Sequence, residues 1–289
     1  MKILTQTGKG IQALYNRHLG FRKKHVEEKV RGIIEDVRLY GDDALLKYTR
    51  KFDKVKLTAK ELRVAENEIS GAFQNITSDF INDLKVILNN VTGFYKKQVP
   101  KGCRVRNANG ILLKENVLPL DTVGIYVPAG TAPLISTVYM TAVPARVAGV
   151  KRIILATPPD KNGHVNPHIL AVANLLKVNE IYKMGGAQAI AAMAFGTKTI
   201  PRVDKIIGPG NMFVTEAKRQ LFGYVDIDML AGPTEVVIIA NRHSNPDYVV
   251  ADMEAQLEHV GGLAVLVTNS RQLIRQVRKR VSKGYAIHV

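Results

Sequence analysis

From residue 121 the chain alternates short β-type runs with helix-length segments. "VGIYV" is followed by "STVYMTAVPARVAG", "RIILAT" by "PHILAVANLLKV", "EIYKM" by "AQAIAAMAFG" and "VDKII" by "NMFVTEAKRQLFG", and "EVVIIA" closes the series. Apolar runs with so few polar interruptions suit strands covered on both faces. A helix between successive strands carries the chain back to the starting edge, so the strands run parallel. The rhythm therefore predicts an α/β fold with a doubly wound parallel sheet over 121–240, Rossmann-like but incomplete. No sequence repeat of about 20–50 residues is visible, which disfavours a solenoid.

The flanks read differently. Residues 1–100 read as helical. Val26, Val30, Ile33, Ile34 and Val37 recur at helical spacing. Gly41 ends that helix, and Asp42–Asp43 supply the acidic first turn of the next. "TSDFINDLKVILNNVTGFYKKQ" is a second long amphipathic stretch, with Ser78 or Asp79 expected as its cap. Asn109–Gly110 lies between two strand-like runs and marks a hairpin. Beyond 240 come a helix over 248–260, the strand "GLAVLVT" and a basic helix "RQLIRQVRKRV". The expected organisation is a second, discontinuous α/β domain, in which the helical region and hairpin of 1–120 pack with 241–289. The final unit is expected to begin a second sheet that the chain does not finish.

Composition narrows the function classes. A chain of 289 residues with 46% hydrophobic content has ample core for one large or two modest domains. The single Cys103 excludes an internal disulfide framework and a cysteine-based zinc cluster. No apolar run reaches membrane-spanning length, and "MKILTQTGKG" holds no hydrophobic signal region, so a cytoplasmic protein is expected, with no membrane partner. The net charge of +16 admits nucleic-acid binding. The basic residues are mostly dispersed and no aromatic-rich RNA-binding motif interleaves them, so nucleic acid is disfavoured as a partner.

In a doubly wound sheet, ligands bind beyond the carboxyl ends of the strands. Four such ends are rich in Gly and Pro: "YVPAGTAPL" at 126–134, "MGGAQA" at 184–189, "IGPGNMF" at 207–213 and "LAGPTEV" at 230–236. Glycine permits close approach of backbone to ligand, and a following helix N-terminus offers free N–H groups to a phosphate. One such loop only terminates a strand; four on one edge favour a site. None reads G-x-G-x-x-G, so the common dinucleotide fingerprint is absent.

These segments carry a resemblance. "VRLYGDDALLKYTRKFD", "VGIYVPAGTAPLISTVYMTAVPARVAGV", "GGAQAIAAMAFGT", "VDKIIGPGNMFVTEAKRQLFG", "DMLAGPTEVVIIA" and "AQLEHV" follow one another as in histidinol dehydrogenases, and the sequence resembles that family over nearly its whole length. The resemblance implies an NAD-dependent alcohol and aldehyde dehydrogenase that oxidises L-histidinol to L-histidine through the aldehyde in two hydride transfers, the last steps of histidine biosynthesis. It further implies a Zn(2+) ion that holds the amino alcohol, a Glu-His pair for acid–base work, and a homodimer. Carried over by motif, Tyr126, Gln188 and Asn211 would contact NAD. Thr234 stands where the family has serine as a substrate contact. Gln256 and His259 would bind zinc and the substrate.

Gln256 and His259 lie three apart and share one side of a helix whose apolar stripe is Val250, Met253, Leu257 and Val260. A neutral imidazole suits zinc and a glutamine oxygen is a rarer ligand; one histidine alone makes no metal site. The family's other two zinc ligands and its Glu-His pair have no counterpart in this sequence, and Glu258–His259 is a different motif. No catalytic residue is therefore assigned, the zinc site is expected to be incomplete, and its usual completion is expected beyond Val289. Two other readings stay open. One is a catalytically inactive nucleotide-binding or regulatory remnant, and the other a dehydrogenase of another amino alcohol or polyol.

Overall fold

The computed structural model describes residues 1–5, 11–12, 14, 24–128, 134–231, 234–257 and 262–288. Along the chain the elements are β1 (Lys2–Thr5), α1 (Lys24–Tyr40), α2 (Asp42–Phe52), α3 (Glu66–Gly71), α4 (Ser78–Lys96), β2 (Arg104–Arg106) and β3 (Leu112–Lys114). There follow β4 (Thr122–Tyr126), α5 (Ile135–Val147), β5 (Arg152–Thr157), α6 (Pro167–Leu175), β6 (Glu180–Lys183), α7 (Gly186–Phe195), β7 (Lys205–Ile207), α8 (Met212–Leu221) and β8 (Asp226–Ile227). The last are β9 (Glu235–Ile239), α9 (Pro246–Leu257), β10 (Leu263–Thr268), α10 (Arg271–Arg278) and β11 (Tyr285–His288). The expected α/β class with a doubly wound parallel sheet is present. Among the described residues no helix is long and apolar enough to cross a membrane.

Contacts group the chain into two units, His25–Leu230 and the pair of segments Met1–Lys24 and Ala231–Val289. The larger unit is built on a five-stranded sheet of order β6-β5-β4-β7-β8, parallel throughout. Alternate strand residues face opposite layers, as the pleat requires. Tyr126, Ile154 and Ile206 enter one buried cluster with α1, α2, α7 and α8. Ile125, Leu155 and Ile181 enter the other, with α4, α5 and α6. The predicted stripe Val26, Val30, Ile33, Ile34 and Val37 is the buried face of α1.

That packing is why residues 25–120 group with the sheet of 121–230 rather than with 241–289, as the sequence pattern suggested. Asp42 reinforces the arrangement by accepting hydrogen bonds from the Thr199 hydroxyl at 2.6 Å and from that of Thr197. The cap of α4 is Thr77, whose hydroxyl accepts from the Phe80 N–H, and not Ser78 or Asp79. The hairpin β2–β3 forms as expected, with Asn107 Oδ1 accepting from the N–H groups of Asn109 and Ile111.

The smaller unit is a second parallel sheet of order β1-β11-β10-β9, with α9 and α10 packed on it through Val249, Met253, Leu273, Ile274 and Val277. Two expectations are corrected. "EVVIIA", read as the last strand of the first sheet, is β9 and pairs with β10. Residues 2–5, read within a helical region, are β1 and pair with β11. Their partners lie some 280 residues away in the sequence, and no local periodicity reports a ladder of that kind.

Candidate functional site

From β4 the chain winds outward to β5 and β6, then returns to lay β7 against the other side of β4. Helices α5 and α6 cover one face of the sheet, and α7 and α8 the other. The carboxyl ends of β4 and β7 therefore border the crevice where the winding direction reverses, the place where open α/β sheets bind ligands. Residues 129–133 of the loop after β4 lie outside the described residues.

The loop after β7, Gly208-Pro209-Gly210-Asn211, is fastened at both ends. Gly208 has φ 123°, and a Cβ there would lie 2.1 Å from the Tyr126 carbonyl oxygen, so only glycine fits against the central strand. Its N–H donates to Asp228 Oδ2 at 2.8 Å. The buried Lys218 of α8 donates to the Gly208 carbonyl at 3.0 Å and pairs with Asp228. Asn211 caps α8 by accepting the N–H groups of Phe213 and Val214 on Oδ1, at 3.0 and 3.2 Å. Its exposed side chain keeps the amide NH2 free for a ligand, so capping and ligand contact are compatible roles.

The turn after β6 is Gly185–Gly186, and Gly186 has φ 64°. The Gly186 N–H donates to the Tyr126 hydroxyl at 3.0 Å, which leaves the hydroxyl proton available. Burial pushes the Tyr126 phenol up to about 12, opposed by that N–H and assisted by the nearby Asp53, so the group is a neutral donor. Gln188, in the first turn of α7, is 1% exposed, and neither end of its amide has a hydrogen-bond partner. A buried primary amide with both ends free is costly to maintain. It is also the observation in the fold that most directly calls for a polar ligand. Tyr126 and Gln188 thus meet at one turn, while Asn211 belongs to the loop that Gly208 holds against Tyr126.

In the smaller unit, Gln256 Nε2 donates to the Thr234 hydroxyl at 2.7 Å. This fixes the amide with Oε1 unengaged by that bond and leaves the Thr234 proton to donate. Val249 and Met253 are the buried residues of α9, with Val250 and Leu257 partly buried beside them. His259 and Val260 lie outside the described residues. Among the described residues no three His, Cys, Asp or Glu side chains gather as a metal-ligand cluster. Gln256 alone does not hold zinc, because such ions take three or four protein ligands.

Sequence reasoning passed over three residues. Lys218 and Asp228 lie ten apart on a helix and the following strand end, and nothing local marks them as a pair. Asp53 ends α2, where burial raises its carboxyl from 3.8 to about 6, and its Oδ2 has no partner. A carboxylate at a helix C-terminus opposes the helix dipole, and that misplacement is the one local signal available. A cleft of about 390 Å³ is lined by Thr92, Lys96, Val143, Arg146 and Leu176. It lies where α5 and α6 end, at the amino edge of the sheet, and gathers no acid–base pair.

Residues 17–288 match the family model described as histidinol dehydrogenase. The chain is 47% identical over 274 residues to a histidinol dehydrogenase of Clostridium acetobutylicum, covering 94% of this chain and 63% of that protein. It is 43% identical over 285 residues to one of Listeria innocua, covering 98% of this chain and 66% of the relative. The chain therefore spans just under two thirds of the length of these curated relatives. The crystal structure of histidinol dehydrogenase from Elizabethkingia anophelis superposes with a TM-score of 0.89 at 34% identity, over 100% of this chain and 71% of that one.

Proposed function

This chain belongs to the histidinol dehydrogenase family, and from that membership we propose that it carries the dinucleotide-binding and part of the substrate-binding machinery for oxidation of L-histidinol. The doubly free amide of buried Gln188, beside the turn whose Gly186 N–H the Tyr126 hydroxyl at the end of β4 holds, carries this reading. Tyr126 donates its hydroxyl proton, Gln188 offers donor and acceptor together, and Asn211 offers its NH2 from the cap of α8. The N-termini of α7 and α8, whose dipoles favour negative charge, would meet an anionic group such as the pyrophosphate. Bound NAD+ would supply the hydride acceptor.

Thr234 and Gln256 are proposed as the pair that meets the amino alcohol, through the Thr234 hydroxyl proton and the Gln256 amide oxygen. Zinc binding, with His259 added to Gln256, is part of the same proposal, although the described residues alone do not form its site. The homodimer and a cytoplasmic setting likewise rest on the family resemblance. No base is assigned to the hydroxyl proton of the substrate.

Titration of the chain with NAD+ by calorimetry, followed by measurement of L-histidinol-dependent NADH formation, tests the reading. Saturable NAD+ binding supports the dinucleotide site. NADH formation supports turnover, whereas binding without turnover favours a nucleotide-binding protein that does not oxidise L-histidinol by itself. Absence of binding removes Tyr126, Gln188 and Asn211 from any such site.

A further inference from the structure

The Gly185–Gly186 turn is surrounded by buried polar atoms that have no partners. Besides both ends of the Gln188 amide, these include Asp53 Oδ2. They lie on adjoining pieces of backbone. A Cβ on Gly185 would stand 3.5 Å from Asp53 Oδ1 and 2.6 Å from Pro158, the residue after Thr157. A Cβ on Gly186 would stand 2.7 Å from Gln188 Oε1. Native interiors leave few polar atoms unpaired, and a cluster of them marks bound water or ligand.

We propose that Asp53 is a positioning residue of the dinucleotide site: through water held among these atoms, its carboxylate takes the NH2 end of the Gln188 amide and turns the carbonyl end toward the dinucleotide. The proposal rests on the assignment of Gln188 as a dinucleotide contact. The negative charge of an ionised carboxylate draws the NH2 end of the amide dipole toward it, across an intervening water as well as directly; a protonated carboxyl carries no charge and no longer selects. Burial places that change near pH 6. Tyr126 of β4 is the titratable side chain that interacts with Asp53, and with its phenol at about 12 it stays neutral across the window. The turn from Met184 to Gln188 and the end of β5 at Thr157–Pro158 carry no ionisable group. Lys183 of β6 is engaged by Glu68 at 2.6 Å, and Lys51 and Lys54 beside Asp53 are exposed. A carboxyl that is costly to bury and set at the wrong end of a helix fits a residue kept for function rather than stability.

The test is NAD+ affinity by calorimetry on the whole chain at pH 5.0 to 8.0, for the unaltered protein and for Asp53→Asn and Gln188→Leu. The unaltered protein is expected to bind about five-fold more tightly at pH 7.5 than at pH 5, the scale of one hydrogen bond. Asp53→Asn keeps the shape and both hydrogen-bonding functions, so it should fold with an unchanged melting profile near pH 5. It should bind at the weaker level at every pH, with no inflection near 6. Wild-type affinity and pH dependence in Asp53→Asn, together with lost binding in Gln188→Leu, would overturn the role of Asp53 and leave the dinucleotide site standing. No saturable binding by the unaltered chain would overturn both. The pH profile of the unaltered protein alone decides the matter if the Asn variant does not fold, since a flat profile between pH 5 and 8 contradicts the proposal.

Discussion

The Tyr126 hydroxyl accepts the Gly186 N–H at 3.0 Å, so the end of the central strand directly holds the first residue of α7. Tyr126→Phe keeps the buried ring and removes the acceptor. Stability is expected to fall by about 1 kcal/mol, and by more if the N–H stays dry. NAD+ affinity is expected to fall with it, because the same hydroxyl loses its outward donor. Denaturant melts and calorimetry check both. Unchanged stability would mean that the strand and the helix are held by packing alone.

Asn211 is asked to do two things, and two substitutions separate them. Asn211→Ala removes the α8 cap and should cost about 1 kcal/mol. Asn211→Ser keeps an N-cap oxygen of similar quality but loses the amide NH2. Serine is expected to leave the melting temperature within a degree or two and to weaken NAD+ binding several-fold. If serine binds the dinucleotide as asparagine does, Asn211 is a cap and nothing more.

Lys218→Met tests the clamp on the Gly-Pro-Gly-Asn loop. The variant leaves Asp228 holding the Gly208 N–H without its counter-charge. Removing one partner of a buried pair costs about 3–5 kcal/mol, and the 28% exposure of the Asp228 side chain places this case at the lower end. The expected result is a large drop in melting temperature together with weaker NAD+ binding. A stability loss under about 1 kcal/mol would contradict the clamp, being the scale of a surface pair.

Asp53 makes stability depend on pH in a defined direction. Its carboxyl moves from 3.8 to about 6 on folding. Between those values the unfolded chain has released a proton that the folded chain keeps. Stability therefore falls as pH rises from about 4 to about 6 and is level above that, as far as this group is concerned. The full shift amounts to about 3 kcal/mol, and the partial exposure of the side chain reduces it to about 1–2 kcal/mol. Asp53→Asn should remove that slope in denaturant melts at pH 4, 5, 6 and 7. An identical slope in the variant would assign the proton uptake to another group.

Much of the larger unit was legible, because its strands and helices are long enough to show their own period. The α1 stripe and "RIILAT" as β5 follow directly from residue spacing. Three of the four glycine-rich turns follow β4, β6 and β7 of the first sheet, as Gly and Pro at strand ends suggested, while the fourth, 230–236, leads into β9 of the second sheet. What was not legible depends on partners distant in sequence. β1 is four residues whose only β signal is a ladder with β11. β9 has the composition of a sheet-one strand, and only its pairing with β10 assigns it to the second sheet. The same holds within the site. Gln188 was recognisable by motif, but its unpaired amide, the Lys218–Asp228 clamp and the buried carboxyl of Asp53 arise from packing that no window of sequence contains.

The most direct test of the account is Gln188→Leu. Leucine is close in size and carries no polar atom, so it removes two buried, unpartnered groups from the core. If the amide is kept for a ligand, the variant should melt at the same temperature as the unaltered chain or higher. Its NAD+ affinity should fall by about ten-fold or more, with both ends of the amide lost. Calorimetric titration with NAD+ alongside thermal melts gives both numbers from one preparation. A variant that melts normally and binds NAD+ as tightly as the unaltered chain would contradict the assignment of the β4–β7 strand ends as the dinucleotide site.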